Sequence, residues 1–132
     1  MDQSNYNVIF EDFTERHYIK DFAKKYGGAW NKTKSDIVSV CERIDMMLQY
    51  KRADSIKEIG VFKLVKLDFA VENTHVSPKA SGNRCILCVN EDDRTVRILL
   101  VYGKNHIEFG QETVWWKEKV FSAFDDVKRI FK

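Results

Sequence analysis

The chain has one proline, Pro78, and only six glycines in 132 residues. With so few chain breakers there is no Pro-, Gly- or Ser-rich linker, no internal repeat and no low-complexity segment, so a single domain over residues 1–132 is expected. At 44% hydrophobic composition that length holds one compact core and is too short for two ordinary domains. Neither sign of charge dominates, since 22 Lys and Arg stand against 20 Asp and Glu, a formal net charge of +2. A global polyelectrolyte attraction to nucleic acid is therefore excluded, and any such binding must come from a local patch.

No apolar run approaches the roughly 20 residues of a membrane span, and no apolar segment of a secretion signal follows the polar Met1-Asp2-Gln3-Ser4-Asn5. A soluble protein of the cytoplasm that makes no use of the membrane is the expectation. Cys41, Cys85 and Cys88 are an odd number, which argues against a complete disulfide framework. Cys85 and Cys88 read as CxxC, but on a strand residues three apart point to opposite faces, and no second Cys or His pair stands at zinc-ligand spacing. Both are expected in the core, with no metal and no cofactor.

What is present is mostly periodicity. Tyr6-Asn7-Val8-Ile9-Phe10 is short and β-prone and reads as an opening strand that pairs with a later hairpin. Thr14 is placed to cap a helix over residues 15–26, where Tyr18, Phe22 and Tyr26 recur every fourth residue and Gly27-Gly28 stops it. A second helix, from Thr33 or Ser35 to about Leu48, carries Ile37, Val40, Cys41, Ile44, Met47 and Leu48 on one face, and the two form an αα-hairpin. Ser55-Ile56-Lys57-Glu58-Ile59 suits a helical turn, residues 61–69 a strand, and residues 72–77 a second extended piece ending at Pro78. Over residues 112–131 a helix sets Trp116, Val120, Phe124, Val127 and Phe131 in one stripe. The layout is α+β, an N-terminal strand and αα-hairpin packed on a twisted antiparallel sheet with a C-terminal helix.

The most informative feature is a pair of basic clusters flanking a predicted hairpin. Pro78-Lys79-Ala80-Ser81-Gly82-Asn83-Arg84 precedes the strand Cys85-Ile86-Leu87-Cys88-Val89, and Tyr102-Gly103-Lys104-Asn105-His106 follows the strand Val96-Arg97-Ile98-Leu99-Leu100-Val101. Folding about Asp92 and Asp93 places Arg84 beside Val101 or Tyr102, and Lys79 within reach of Lys104 and His106. The outcome is a cationic site suited to a phosphate backbone.

Three motifs in this region resemble the RelE/ParE superfamily of toxins from bacterial toxin–antitoxin modules. They are Ser81-Gly82-Asn83-Arg84 at the mouth of the strand, Val101-Tyr102-Gly103-Lys104 at the end of the hairpin, and Glu112-Thr113-Val114-Trp115-Trp116-Lys117 opening the last helix. The resemblance implies an endoribonuclease that inhibits translation by cutting mRNA, usually in the ribosome, through attack of the 2′-hydroxyl on the adjacent phosphate, and a cognate antitoxin as partner. Such cleavage needs a base, an acid and cations to hold the developing charge.

Arg84 fits the last role, because a guanidinium grips phosphate oxygens bidentately, or else it is a surface arginine paired with Glu91 or Glu112. Histidine is the side chain whose ordinary pKa lies nearest neutrality, so His106 and His75 are the acid–base candidates, whereas His17 has no such context. Lys79 and Lys104 reinforce the clamp as point charges or are solvated surface lysines. Trp115, next to Trp116 but about 100° around the helix, is a candidate exposed ring for stacking on a base, and Tyr102 another, its face set by the hairpin register. Asn105 stands where a second arginine is expected, and the tryptophans stand near the expected tyrosine; the set His75, Arg84, His106 is more similar to histidine-dependent members than to the lysine-rich RelE arrangement. Two alternatives use the same residues differently: a ParE-like poison of DNA gyrase that needs no titratable groups, and a non-catalytic RNA-binding or interaction module.

Overall fold

The computed structural model describes residues 5–132, so most of the polar opening, residues 1–4, lies outside the described residues. The chain runs β1 (Asn7–Phe10), α1 (Asp12–Arg16), α2 (Tyr18–Tyr26), α3 (Gly28–Glu42), α4 (Ile44–Gln49), β2 (Ala53–Ile59), β3 (Phe62–Phe69), α5 (Pro78–Ser81), β4 (Asn83–Asn90), β5 (Thr95–Tyr102), a 3₁₀ turn (Lys104–His106), α6 (Glu112–Ala123) and α7 (Asp125–Phe131). The strands form one five-stranded sheet in the order β1-β5-β4-β3-β2. β2 to β5 pair antiparallel, but β1 pairs with β5 in parallel, Asn7 against Thr95 and Phe10 against Ile98. The sheet is therefore mixed, where an antiparallel one was expected.

Helices cover both faces. Cys85, Leu87 and Val89 of β4 belong to one buried cluster with Phe22, Trp30, Ile37, Cys41 and Ile44, while Ile86 and Cys88 belong to a second with Trp115, Trp116, Val120, Val127 and Phe131. A strand buried on both sides loses the polar half of its alternation, which is why β4 reads as a continuous apolar run. Each fully buried aliphatic side chain contributes roughly 1.5–3 kcal/mol. Cys85 and Cys88 lie on opposite faces as free, buried thiols. Burial pushes the Cys88 thiol up to about 11 and that of Cys41 to about 12. Among the described residues no cluster of His, Cys, Asp or Glu has the shape of a metal site, and no helix is long and apolar enough to cross a membrane.

Several sequence expectations are corrected. Thr14 does not cap a helix: it is buried, and its Oγ1 lies 2.8 Å and 2.6 Å from the carbonyl oxygens of Ile98 and Leu99. There the β4–β5 register shifts, with Ile86 against Leu100 but Leu87 against Ile98, so the hydroxyl satisfies backbone that the bulge exposes. The first helix breaks at His17, the second begins at Gly28 and breaks at Arg43, and the C-terminal helix breaks at Phe124. Residues 55–59 are part of β2, an edge strand on which only Ala53 is buried, which removes the alternation that would have revealed it. Residues 72–77 form a turn-rich loop rather than a strand, and Pro78 opens α5 behind Ser77, whose Oγ accepts the Ala80 N–H at 3.2 Å.

Candidate functional site

The β4–β5 register sets Arg84 opposite Tyr102, and β3 adds Asp68 opposite Arg84. The end of the sheet is closed by Gly82 and Gly103. Gly82 has φ +77°, and a Cβ there would stand 2.7 Å from Lys104 Cγ, so the lysine's methylene stem lies directly over the glycine. Lys104 is thereby fixed beside α5, which carries the exposed Lys79. Among the described residues neither lysine makes an ion pair.

Arg84 is held differently. Its side chain is 15% exposed, with Nη1 3.3 Å from Asp68 Oδ1 and Nε 3.0 Å from Glu112 Oε2. The Nε–H is not aligned on that oxygen, so the interaction is one of charges rather than a directed hydrogen bond. Of the two partners proposed for a surface arginine, Glu112 is the one used, while Glu91 pairs with Lys63 at 3.1 Å. Two carboxylates around one guanidinium leave the cluster with a net negative charge. Both compete with a phosphate for Arg84.

His106 sits in the 3₁₀ turn with its side chain 9% exposed, stacked on Tyr18 at 4.4 Å between ring centroids. The Gly103 N–H donates to Nδ1 at 2.9 Å, which fixes the lone pair there and the proton on Nε2. Nε2 in turn lies 3.0 Å from Oδ2 of Asp21, a carboxylate 64% exposed. His106 as it stands is a hydrogen-bond donor with its acceptor nitrogen already used. His75 is exposed on the loop between β3 and α5 at φ +58°, with no hydrogen bond among the described residues. His17 stacks on Phe13 and its Nδ1 lies 2.6 Å from that residue's carbonyl.

The two aromatic candidates are not exposed. Tyr102 and Trp115 are both 0% accessible. The Tyr102 hydroxyl donates to Glu112 Oε2 at 2.6 Å; burial first, then that bond and the carboxylate's charge, raise its pKa well above the phenol range, so it stays protonated. Trp115 Nε1 donates to Glu108 Oε1 at 3.2 Å and its ring meets Tyr102 edge-on at 5.1 Å. Tyr18 of α2, 5.8 Å away between ring centroids, and Glu108 cover the side of Trp115 that a lone helix would leave open. Neither ring can stack on a base.

Sequence reasoning missed Asp68 and Asp21. The signal for Asp68 was the β3–β4 register, which a strand pattern alone does not give; for Asp21 nothing in the sequence links α2 to the end of β5.

No family model and no curated protein matches the sequence. Among solved structures the chain is similar to one from the archaeal RelE–RelB complex of Pyrococcus horikoshii OT3, with a TM-score of 0.52 and 13% identity over 76% of this chain and 96% of that one. At that identity the likeness is one of architecture: the chain has a RelE-like fold.

Proposed function

We propose that this chain is the toxin of a bacterial toxin–antitoxin module, a member of the RelE/ParE superfamily that cleaves mRNA in the cytoplasm, on or off the ribosome, and so inhibits translation. What carries the reading is the RelE-like fold together with two lysines unpaired among the described residues, Lys104 in the same turn as His106 and Lys79 on the short helix next to it. The similar chain comes from a complex with RelB, which supports a cognate antitoxin as partner.

The chemistry follows from what each group can offer. His75, unpartnered among the described residues, takes the 2′ proton as the oxygen attacks phosphorus. Lys79 and Lys104 hold the charge of the phosphorane, and Lys104 offers the proton that the leaving 5′ oxygen needs. The His106 Nε2–H adds a donor once a phosphate oxygen replaces Asp21. Arg84 braces the sheet end through Asp68 and Glu112 and meets phosphate by exchanging one of them.

A second reading draws on those same carboxylates. Because Arg84 is already paired and both His106 nitrogens are engaged, a toxin that acts by binding alone, such as a gyrase poison, or a non-catalytic RNA-binding module of this fold needs no rearrangement here. Expression without an antitoxin, followed by labelled precursors, separates these. Arrest of protein synthesis first supports the nuclease; arrest of DNA synthesis with intact mRNA supports the poison; unimpaired growth removes the toxin.

A further inference from the structure

A groove of about 510 Å³ opens between α3, α4, the end of β3 and α5. Its floor is apolar, with the aliphatic Ile37, Val40, Met47 and Leu67 beside Phe69, and the lining also carries Lys51 and Arg52, which follow α4, and Lys79 of α5. Among the described residues none of those three cations is ion-paired. Of the two carboxylates that line the groove, Asp36 pairs with Lys32 at 2.7 Å and Asp68 shares Arg84 with Glu112, so three cations of the lining stand against two carboxylates. The net field in the groove is positive.

Lys51 occupies a costly position. The end of α4 closes with the Arg52 N–H on the Met47 carbonyl at 2.8 Å and the Lys51 N–H on the Leu48 carbonyl at 3.2 Å, which puts Lys51 at the left-handed residue of the closure, φ +60°. Glycine fills that place without strain. A lysine there gives up backbone stability and places a charge on the groove's rim.

We propose that this groove binds a stretch of single-stranded RNA, phosphates on Lys51, Arg52 and Lys79 and a base against the aliphatic floor, with the strand continuing over α5 to Lys104. The inference rests on the RNA-directed reading above and names where its substrate is held outside the reacting phosphate. Two links support continuity: Lys79 lines the groove on the same short helix whose capping residue, Gly82, lies under the Lys104 stem, and Asp68 lines the groove while pairing Arg84. A line of unpaired cations suits a linear polyanion.

The test is fluorescence anisotropy with a short labelled RNA whose riboses are 2′-O-methylated, so that binding is read without cleavage. K51Q/R52Q should weaken binding about tenfold and reduce the salt slope by about 1.4, because each single-strand phosphate left without its cation takes about 0.7 from the slope. K51G should raise the melting temperature while weakening binding, and K24Q, on α2, should bind like the parent. Equal binding by parent and K51Q/R52Q overturns the groove and leaves the toxin reading standing. Failure of the parent to bind the RNA overturns the groove, and failure to bind it on ribosomes as well overturns both. Displacement of RNA from the parent by polyglutamate, with polyglutamate binding abolished in K51Q/R52Q, assigns the groove to an acidic polypeptide and overturns the proposal.

Discussion

Arg84 and Glu112 lie 3.0 Å apart, Nε to Oε2, and the same carboxylate oxygen accepts the Tyr102 hydroxyl at 2.6 Å. One oxygen therefore ties the first residues of β4, the last residue of β5 and the first turn of α6. With Asp68 it makes Arg84 a brace before it is a phosphate ligand.

Arg84→Ala should then cost stability as well as any activity. It leaves Asp68 and Glu112, both largely covered, without their cation, a destabilisation of about 1–3 kcal/mol. Urea denaturation measures it. An unchanged midpoint would mean that the pairs are too well solvated to matter and would return Arg84 to the role of a free surface cation.

Asp21 and His106 should move in opposite directions. His106→Phe removes the Nε2 donor and should lower cleavage by about 10²–10³, as for other preorganised donors. Asp21→Asn removes a competing anion from the same nitrogen and should leave cleavage equal to the parent or faster. Single-turnover cleavage of labelled RNA gives both rates, and a drop in Asp21→Asn as large as in His106→Phe would make Asp21 a working partner of the histidine.

The hairpin and the C-terminal stripe were legible because burial there follows strand and helix periods. Arg84 against Tyr102, one of two expected pairings, and the burial of all five residues of the Trp116 stripe follow that logic. β2 was not legible because an edge strand exposes nearly every side chain, and the parallel pairing of β1 depends on a partner about ninety positions away. At the site, the sequence brings Lys79, Lys104, Arg84 and His106 to one end of the sheet. What it does not carry is saturation: that Arg84 meets two carboxylates, that His106 uses both nitrogens, and that Tyr102 and Trp115 are buried against each other and Tyr18. Those depend on tertiary neighbours such as Asp21 and Asp68, which no local pattern marks.

Ile44, at the start of α4, is 0% exposed among Cys41, Ile37 and the first sheet face. Ile44→Ala should cost about 2–5 kcal/mol through reduced transfer energy and a residual cavity. Chemical denaturation with a slope like the parent's and a midpoint equally unshifted would take this residue out of the core.

Acid should loosen the junction between β5 and α7. Burial works against ionisation of Asp126, but its hydrogen bond to Arg97 at 2.8 Å and that residue's charge outweigh it and hold the carboxyl below its ordinary 3.8. The folded state thus favours the ionised form: the contribution is present above pH 3.8 and is lost as pH falls through the lowered value. Asp126→Asn should flatten the fall of melting temperature below about pH 4, modestly because the carboxylate is half exposed. An acid limb identical to the parent's would show that the pair adds nothing in solution.

Cleavage of RNA by 2′-hydroxyl attack, the central claim for this chain, is tested most directly by end-group analysis. Purified protein is incubated with end-labelled mRNA, with and without ribosomes, and the 5′ fragments are examined for their 3′ termini. The expected result is new fragments ending in a 2′,3′-cyclic phosphate or its 3′-phosphate product, suppressed by 2′-O-methylation at the cut. Intact mRNA in both conditions, from protein that arrests growth when expressed, would contradict it.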